Sequence, residues 1–388
     1  MVSPQAAEGA RLLSQGRAND AIHAFRAGLT TAPRDVECHL GLARAYLSQL
    51  KVQDARKALE RLLAIDARHL EGQSHLAMLD ANEGDERALQ QLKAFSSRPE
   101  AGFFEHFNLA TALQTRGDSE GAEAAFEKAV KSQPRSSHSW FELGALAQKR
   151  GDLSKAISRF EKAAELAPKS HVPLYMLARA HAAKGEVGRA VEAIKKAISV
   201  APREEGLYEE LYKLCFAAGA LEGVLTAAKA LRALDPKNGN YAYMQGVAQI
   251  TAGQVEEARG TLAEAMRLVP AAWEVKHALA RCHQLAGDDA AALSLLEAVH
   301  SQVPTEPDPA NDLALLYLAK PDAEAARRVL QSVLEAHPSH AGAHLNLALA
   351  LARQEPARAA EHARRAQQGG DAEISLQATK LLKKLGST

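Results

Sequence analysis

The stretch HSWFELGALAQKRGDLSKAISRFEKAAELAPKS, residues 138–170, decides the fold. Trp140, Leu143, Leu146 and Ala147 recur at helical spacing, which predicts an amphipathic helix. Gly151 follows, where a residue tolerant of positive φ ends a helix cheaply. Leu153, Ala156, Phe160 and Ala163 then share one face of a second helix. Pro168 cannot continue a helix interior and forces a turn. Gly144 and Ala156 are small where the two helices must approach closely. The stretch reads as a helical hairpin followed by a stop.

The chain writes this hairpin repeatedly. Prolines stand at 134, 168, 202, 236, 270, 304 and 338, always 34 residues apart. Glycines stand at 117, 151, 185, 219, 253 and 287 with the same step. Ala122, Ala156, Ala190, Val224, Ala258, Ala292 and Ala326 form a third column. Three independent columns sharing one long period mark a repeat architecture, in which each unit buries its apolar face on its neighbours.

The pattern Trp140–Leu143–Gly144–Ala156–Phe160–Ala163–Pro168 resembles the tetratricopeptide repeat (TPR). The resemblance implies an all-α fold, a right-handed α-solenoid of about eleven helix-turn-helix repeats. The repeats are placed at about 2–35, 36–69, 70–102, 103–136, 137–170, 171–204, 205–238, 239–272, 273–306, 307–340 and 341–370. Four depart from the pattern. The third is one residue short, with DERALQQLKAF as a cramped second helix; the tenth has Pro321 where glycine is usual. The eleventh loses a residue around Gln354–Pro356. The seventh places Tyr212 and Val224 at the two small sites, which is expected to spread its helices.

Stacked repeats need polar ends. Gln5 and Glu8 stand where Trp140 and Leu143 stand in the fifth repeat, so the first repeat caps itself. After Gly369–Gly370, residues 371–386 predict a capping helix with Asp371 as N-cap. Ile374, Ala378, Leu381, Leu382 and Leu385 form its apolar stripe. The rival reading of that helix is a membrane- or partner-binding amphipathic segment.

Composition narrows function. In 388 residues Lys and Arg number 47 and so do Asp and Glu, giving a net charge of +0. Phosphate neutralisation needs a cationic surplus, so nucleic acid is not the expected partner. No stretch is apolar enough to predict a membrane span, and the first residues lack the apolar core of a signal peptide. Cys38, Cys215 and Cys282 are scattered and make no CxxC, which fits reduced thiols and a cytoplasmic protein. A piece of a longer protein would read the same way.

No catalytic motif appears: no GxSxG, no Walker loop, no HExxH. No enzyme activity, cofactor or metal is expected. His337, His340 and His344 are the best metal candidate. Against it, His39 and His106 share the repeat position of His344 and Trp140, where packing explains a histidine. Adjacent Cys282 and His283 point about 100° apart on a helix and make no nucleophile–base pair.

The resemblance implies that the first helices of the repeats line a concave wall where ligands bind. The fifth position of each repeat, from the fourth onward, reads Phe107, Phe141, Tyr175, Glu209, Tyr243. The sixth reads Asn108, Glu142, Met176, Glu210, Met244, and Phe104 adds a ring. This predicts a groove of rings and methionines for a partner's extended or helical segment, broken at Glu209 and Glu210. Arg179, Lys213 and Arg281, one turn further on, would bind acidic groups or backbone. The alternative is that these rings rest on neighbouring helices. A carboxylate clamp of the chaperone-tail type is not expected, because Glu142 stands where a second Asn belongs.

The expected function is a non-enzymatic adaptor or scaffold. Its partner would be a peptide segment or a folded domain such as a small GTPase. Two alternatives stand beside it: a regulatory or substrate-recruiting arm of a larger enzyme, and a self-associating protein, a homo-oligomer built through Tyr212 or the terminal helix.

Overall fold

A computed structural model describes residues 3–386; Val2, where the first expected repeat begins, lies outside the described residues. Among these residues there are twenty-three helices and no strands. Two compact bodies divide the chain after Pro202.

The first body holds α1 (Pro4–Ser14), α2 (Ala18–Thr31), α3 (Val36–Ser48), α4 (Val52–Ile65), α5 (Leu70–Asn82), α6 (Glu86–Ser96), α7 (Phe103–Thr115), α8 (Ser119–Ser132), α9 (Ser137–Lys149), α10 (Leu153–Leu166), α11 (Val172–Ala183) and α12 (Val187–Val200). The second holds α13 (Glu205–Ala217), α14 (Leu221–Leu234), α15 (Gly239–Thr251), α16 (Val255–Leu268), α17 (Trp273–Leu285), α18 (Asp289–Gln302), α19 (Pro307–Ala319), α20 (Ala323–Ala336), α21 (Ala341–Leu351), α22 (Pro356–Gln367) and α23 (Ala372–Lys384). In each body an odd-numbered helix packs on the even-numbered helix after it, and the hairpins stack in chain order.

Residues 138–170 fold as read. α9 and α10 meet at Gly144, where an added Cβ would lie 2.7 Å from the Phe160 ring. Ala156 and Phe160 have no exposed surface. Burying such a ring contributes about 2 kcal/mol or more. Gly151 turns the chain at φ 81°, and Asp152 caps α10 by accepting from the Lys155 N–H.

The fourth position of the repeat has a specific job. Trp140 Nε1 donates to the Pro134 carbonyl at 2.9 Å, and His344 Nε2 donates to Pro338 at 2.9 Å. His39 Nε2 does the same to Pro33 at 3.0 Å, and Gln73 to Ala67 at 2.8 Å. Each ties the turn between repeats to the helix that follows it. His106 follows the short third repeat and has no such carbonyl in register; its Nδ1 pairs with Ser96 Oγ at 2.7 Å.

The irregular repeats are accommodated locally. α6 has 11 residues where α4 and α8 have 14, as the shortened sequence requires. Pro321 stands at the turn position before α20 that glycine holds in most other repeats. In the second body Tyr212 is half-buried, and its hydroxyl donates to the Met244 carbonyl at 3.4 Å. A Cβ on Gly223 would collide with Cys215 Sγ, so α13 and α14 keep a close approach at that pair.

The two ends differ in what covers them. Gln5 and Glu8 are exposed on α1, and Glu8 pairs with Arg11 at 2.6 Å. On α23, Ala378, Leu381 and Leu382 bury against Leu345, Ala348, Ala360, Ala363 and Ala366. Asp371 caps it by accepting from the Glu373 and Ile374 N–H groups. Its apolar stripe is thus occupied by α21 and α22. No helix among the described residues is long and apolar enough to cross a membrane.

Candidate functional site

In the first body a groove of about 720 Å³ opens across α3, α5 and α7. Leu47, Leu50, Val52, Met78, Phe103 and Phe107 supply its apolar surface. Phe103 stacks on Phe107 at 5.3 Å and meets Phe104 edge-on at 5.1 Å. Arg44 lies 4.2 Å over the Phe104 ring while its Nε donates to Glu71 Oε1 at 2.6 Å. His75 Nε2 donates to the same carboxylate at 3.2 Å. Burial works to raise the Glu71 pKa, but the His75 hydrogen bond and the Arg44 charge outweigh it and hold the carboxyl below its ordinary value. Glu71 therefore stays ionised and fixes Arg44 at the groove wall.

Leu50 is unusual. It occupies the glycine turn position between α3 and α4, at φ 59° and 87% exposed. A leucine in the left-handed region costs about 1 kcal/mol or more relative to glycine. Sequence reasoning missed Leu50, Val52, Met78 and Phe103. The signal was present for Leu50: the glycine column extends back through Gly84 to Gly16, and Leu50 breaks it.

Of the residues singled out from sequence, Phe104, Phe107 and Asn108 line this groove. Phe107 also rests on Phe126, 5.5 Å away, and Phe141 on Phe160, 5.6 Å away. Both rings remain half-exposed, so packing on the second helix and surface display coexist. Tyr175 and Met176 are half-buried, and Arg179 stands 5.8 Å over the Tyr175 ring. These three and Phe141 lie outside the lining. In the second body Tyr243 and Arg281 line a smaller groove of about 400 Å³ with Val247, Ile250 and Leu285. Lys213 is exposed and Met244 half-buried. Glu209 does not stand alone, since it accepts from the Tyr241 hydroxyl at 3.0 Å alongside Glu205 at 2.7 Å.

Asn108 is corrected. It is 1% exposed and its amide donates to Ser74 Oγ at 3.0 Å. The pairing recurs: His277 binds Asp312 at 2.8 Å, and Asn346 donates to Asn311 at 2.9 Å. The fifth position of one repeat faces the sixth of the next, so sixth-position residues join neighbouring first helices. Asn108 is such a joint: it lines the groove while its amide is taken by Ser74.

The histidine cluster is also resolved. His340 caps α21, its Nδ1 accepting from the Ala343 N–H at 3.1 Å. His344 Nδ1 meets His362 Nδ1 at 2.9 Å. Since His344 Nε2 carries the proton given to Pro338, His362 must donate. Burial lowers the pKa of each; the charges of Arg365 and His340 lower that of His344 further, and those of His344 and Arg365 that of His362. No group of three metal-binding side chains occurs among the described residues. Burial also pushes the Cys282 thiol up to about 11, which makes it a poor nucleophile at neutral pH.

A pH prediction arises here. Burial lowers the pKa of His106, His300, His344 and His362. Each unfolds to a ring of pKa about 6.5. Stability is therefore full above that value and falls as pH drops toward the lowered folded values, because the unfolded chain takes up protons first. The urea midpoint is expected to be flat from pH 8 to 7 and lower at pH 5. His344→Gln should flatten the decline while keeping the donor to Pro338, as Gln73 does for Ala67. An equally steep profile in that variant would refute the assignment.

Known proteins supply a last comparison. Two family profiles, both described as tetratricopeptide repeat, match this chain, one at 12–79 and 147–215, the other at 107–171, 243–307 and 311–373. Among solved structures, a tetratricopeptide repeat protein from Parabacteroides merdae is 18% identical, with 65% of this chain and 100% of that one covered at a TM-score of 0.50. Yeast Tom70 is 14% identical over 98% of this chain and 95% of its own, at 0.45. The APC/C hetero-tetramer Cut9–Hcn1 is 14% identical over 98% and 83%, at 0.47. No curated protein matches the sequence. At such identities the Parabacteroides likeness speaks to the fold alone.

Proposed function

Because this chain belongs to the tetratricopeptide repeat family, whose repeats generally mediate protein–protein interaction, we propose that it is a non-enzymatic adaptor that holds a partner protein on its first helices. The observation that carries this reading is the groove across α3, α5 and α7, where Leu50 and Val52 are exposed and Leu47, Phe103, Phe104 and Phe107 are half-buried. Apolar surface gathered in a concavity marks an interaction site. Half-exposed Phe107, Phe141 and Tyr175 extend such surface along α7, α9 and α11. Three buried cysteines fit a reducing compartment such as the cytoplasm. The partner is a peptide segment or a folded domain.

The test is affinity capture from native lysate with wild type and with Phe107→Glu/Phe141→Glu/Tyr175→Glu, after circular dichroism shows both folded. Loss of a captured protein by at least about tenfold is expected, as for removal of central anchors. Undiminished capture of the same protein would move binding away from these rings.

Self-association is supported by one observation in the second body. Phe216 is 57% exposed and stacks on Tyr212 at 6.2 Å with its ring nearly parallel. Light scattering on Phe216→Glu against wild type separates a dimer through this pair from a monomer.

A further inference from the structure

We propose that the groove across α3, α5 and α7 takes an amphipathic α-helix of the partner, apolar on the buried side and acidic at its flank, with Leu50 as the lip that holds it. The inference rests on the adaptor reading and names the chemistry of the partner.

Three features of the groove lead there. Its walls are helices, whose main-chain N–H and C=O groups are already bonded within each helix. An extended segment laid across them would set its own main-chain groups against Leu47, Val52, Met78 and Phe103 without partners. A helix arrives with those groups satisfied and offers only side chains.

A hydrogen-bond donor selects the flank. No Asp or Glu lines the groove, and Glu71 behind its wall holds Arg44 and His75 in place. Arg44 uses Nε and one terminal nitrogen on Glu71, and its Nη1 makes no hydrogen bond among the described residues. That nitrogen sits on a guanidinium held over Phe104, 4.2 Å from the ring centre. A carboxylate on the incoming helix meets a donor that is already positioned, at little further loss of side-chain freedom.

Leu50 is the third feature. The turn position it occupies favours glycine, yet it carries a large apolar side chain that packs on little and stands at the groove edge. Backbone strain kept at such a place points to a use for the side chain.

The experiment is selection from a displayed library of random peptides about 16 residues long, enough for four helical turns, against the full chain. The selected peptides are then measured by fluorescence anisotropy against wild type and Leu50→Gly. Selected sequences are expected to carry apolar residues at i, i+4 and i+7 with Asp or Glu beside them, and to turn helical on binding. Leu50→Gly should weaken them about tenfold, the loss of one buried leucine contact, while melting at or above the wild-type temperature. A selection that yields proline-bearing or lysine-flanked sequences overturns the proposal. So does equal binding by Leu50→Gly, or no enrichment at all, including the case where sedimentation finds a second copy in the groove. The adaptor reading fails by a different result: partner capture indifferent to the rings of α7, α9 and α11.

Discussion

Ala156→Asp is expected to cost the first body about 4 kcal/mol or more and to abolish the α9–α10 hairpin. Ala156 has no exposed surface, and its methyl sits where α10 crosses α9 beside Gly144. A carboxylate there has two outcomes. Ionised, it is a buried charge without a partner; neutral, it leaves polar atoms without hydrogen bonds. The nearest cation on the same face, Arg159, is one turn away but engaged. Its Nη1 donates to Glu123 at 2.7 Å and to the Leu143 carbonyl at 3.1 Å. Drawing it to residue 156 would break its pair with Glu123 and leave that carboxylate to Arg150 alone. The carboxylate also needs more room than a methyl, in an interface where even a Cβ on Gly144 would meet Phe160. Ala156→Ser, smaller and able to donate back to its own helix, should lose far less. Urea midpoints of the two variants decide the matter, and equal losses would mean that the interface opens to admit water.

Repeat period, turns and helical pairing were legible because each is written in a column of residues. Gly151, Ala156 and Pro168 each follow from one local constraint, and such constraints need no knowledge of the neighbours. The candidate site was less legible because it depends on how one repeat meets the next. Asn108 reads as an open side chain by helical spacing, yet Ser74, 34 residues earlier, takes its amide. His277–Asp312 and Asn311–Asn346 follow the same rule at a separation of 35. The polar coincidences were in the sequence, but only stacking gives them meaning. Trp140 and His344 are the converse case. Their common position was visible, while the carbonyl each satisfies, Pro134 or Pro338, required the turn geometry. Leu50 breaks the glycine column visibly, while its place at the groove edge required the packing of the repeats.

Phe25→Ala should be the most damaging truncation near the start of the array, costing about 4 kcal/mol. The ring is 1% exposed and fills a space bounded by two glycines. A Cβ on Gly9 of α1 would lie 2.5 Å from it, and one on Gly41 of α3 would collide with it. Those glycines have no side chains to lean into a vacated volume, so the cavity stays open and the cost falls toward the upper end for such changes. Phe25→Leu should recover about half by refilling part of the hole. The consequence reaches the groove. In stacked repeats stability passes between nearest neighbours, and α3 contributes Arg44 and Leu47 to the groove wall. Amide exchange in Phe25→Ala should therefore quicken first in α1–α3, while α9–α11 keep their protection. Binding of a groove-directed helix should weaken with the loosening of α3, though no groove residue has changed. A loss below about 1 kcal/mol would mean that α1 and α3 close onto each other when the ring is gone, and the two glycines would then be spacers rather than a seat for Phe25.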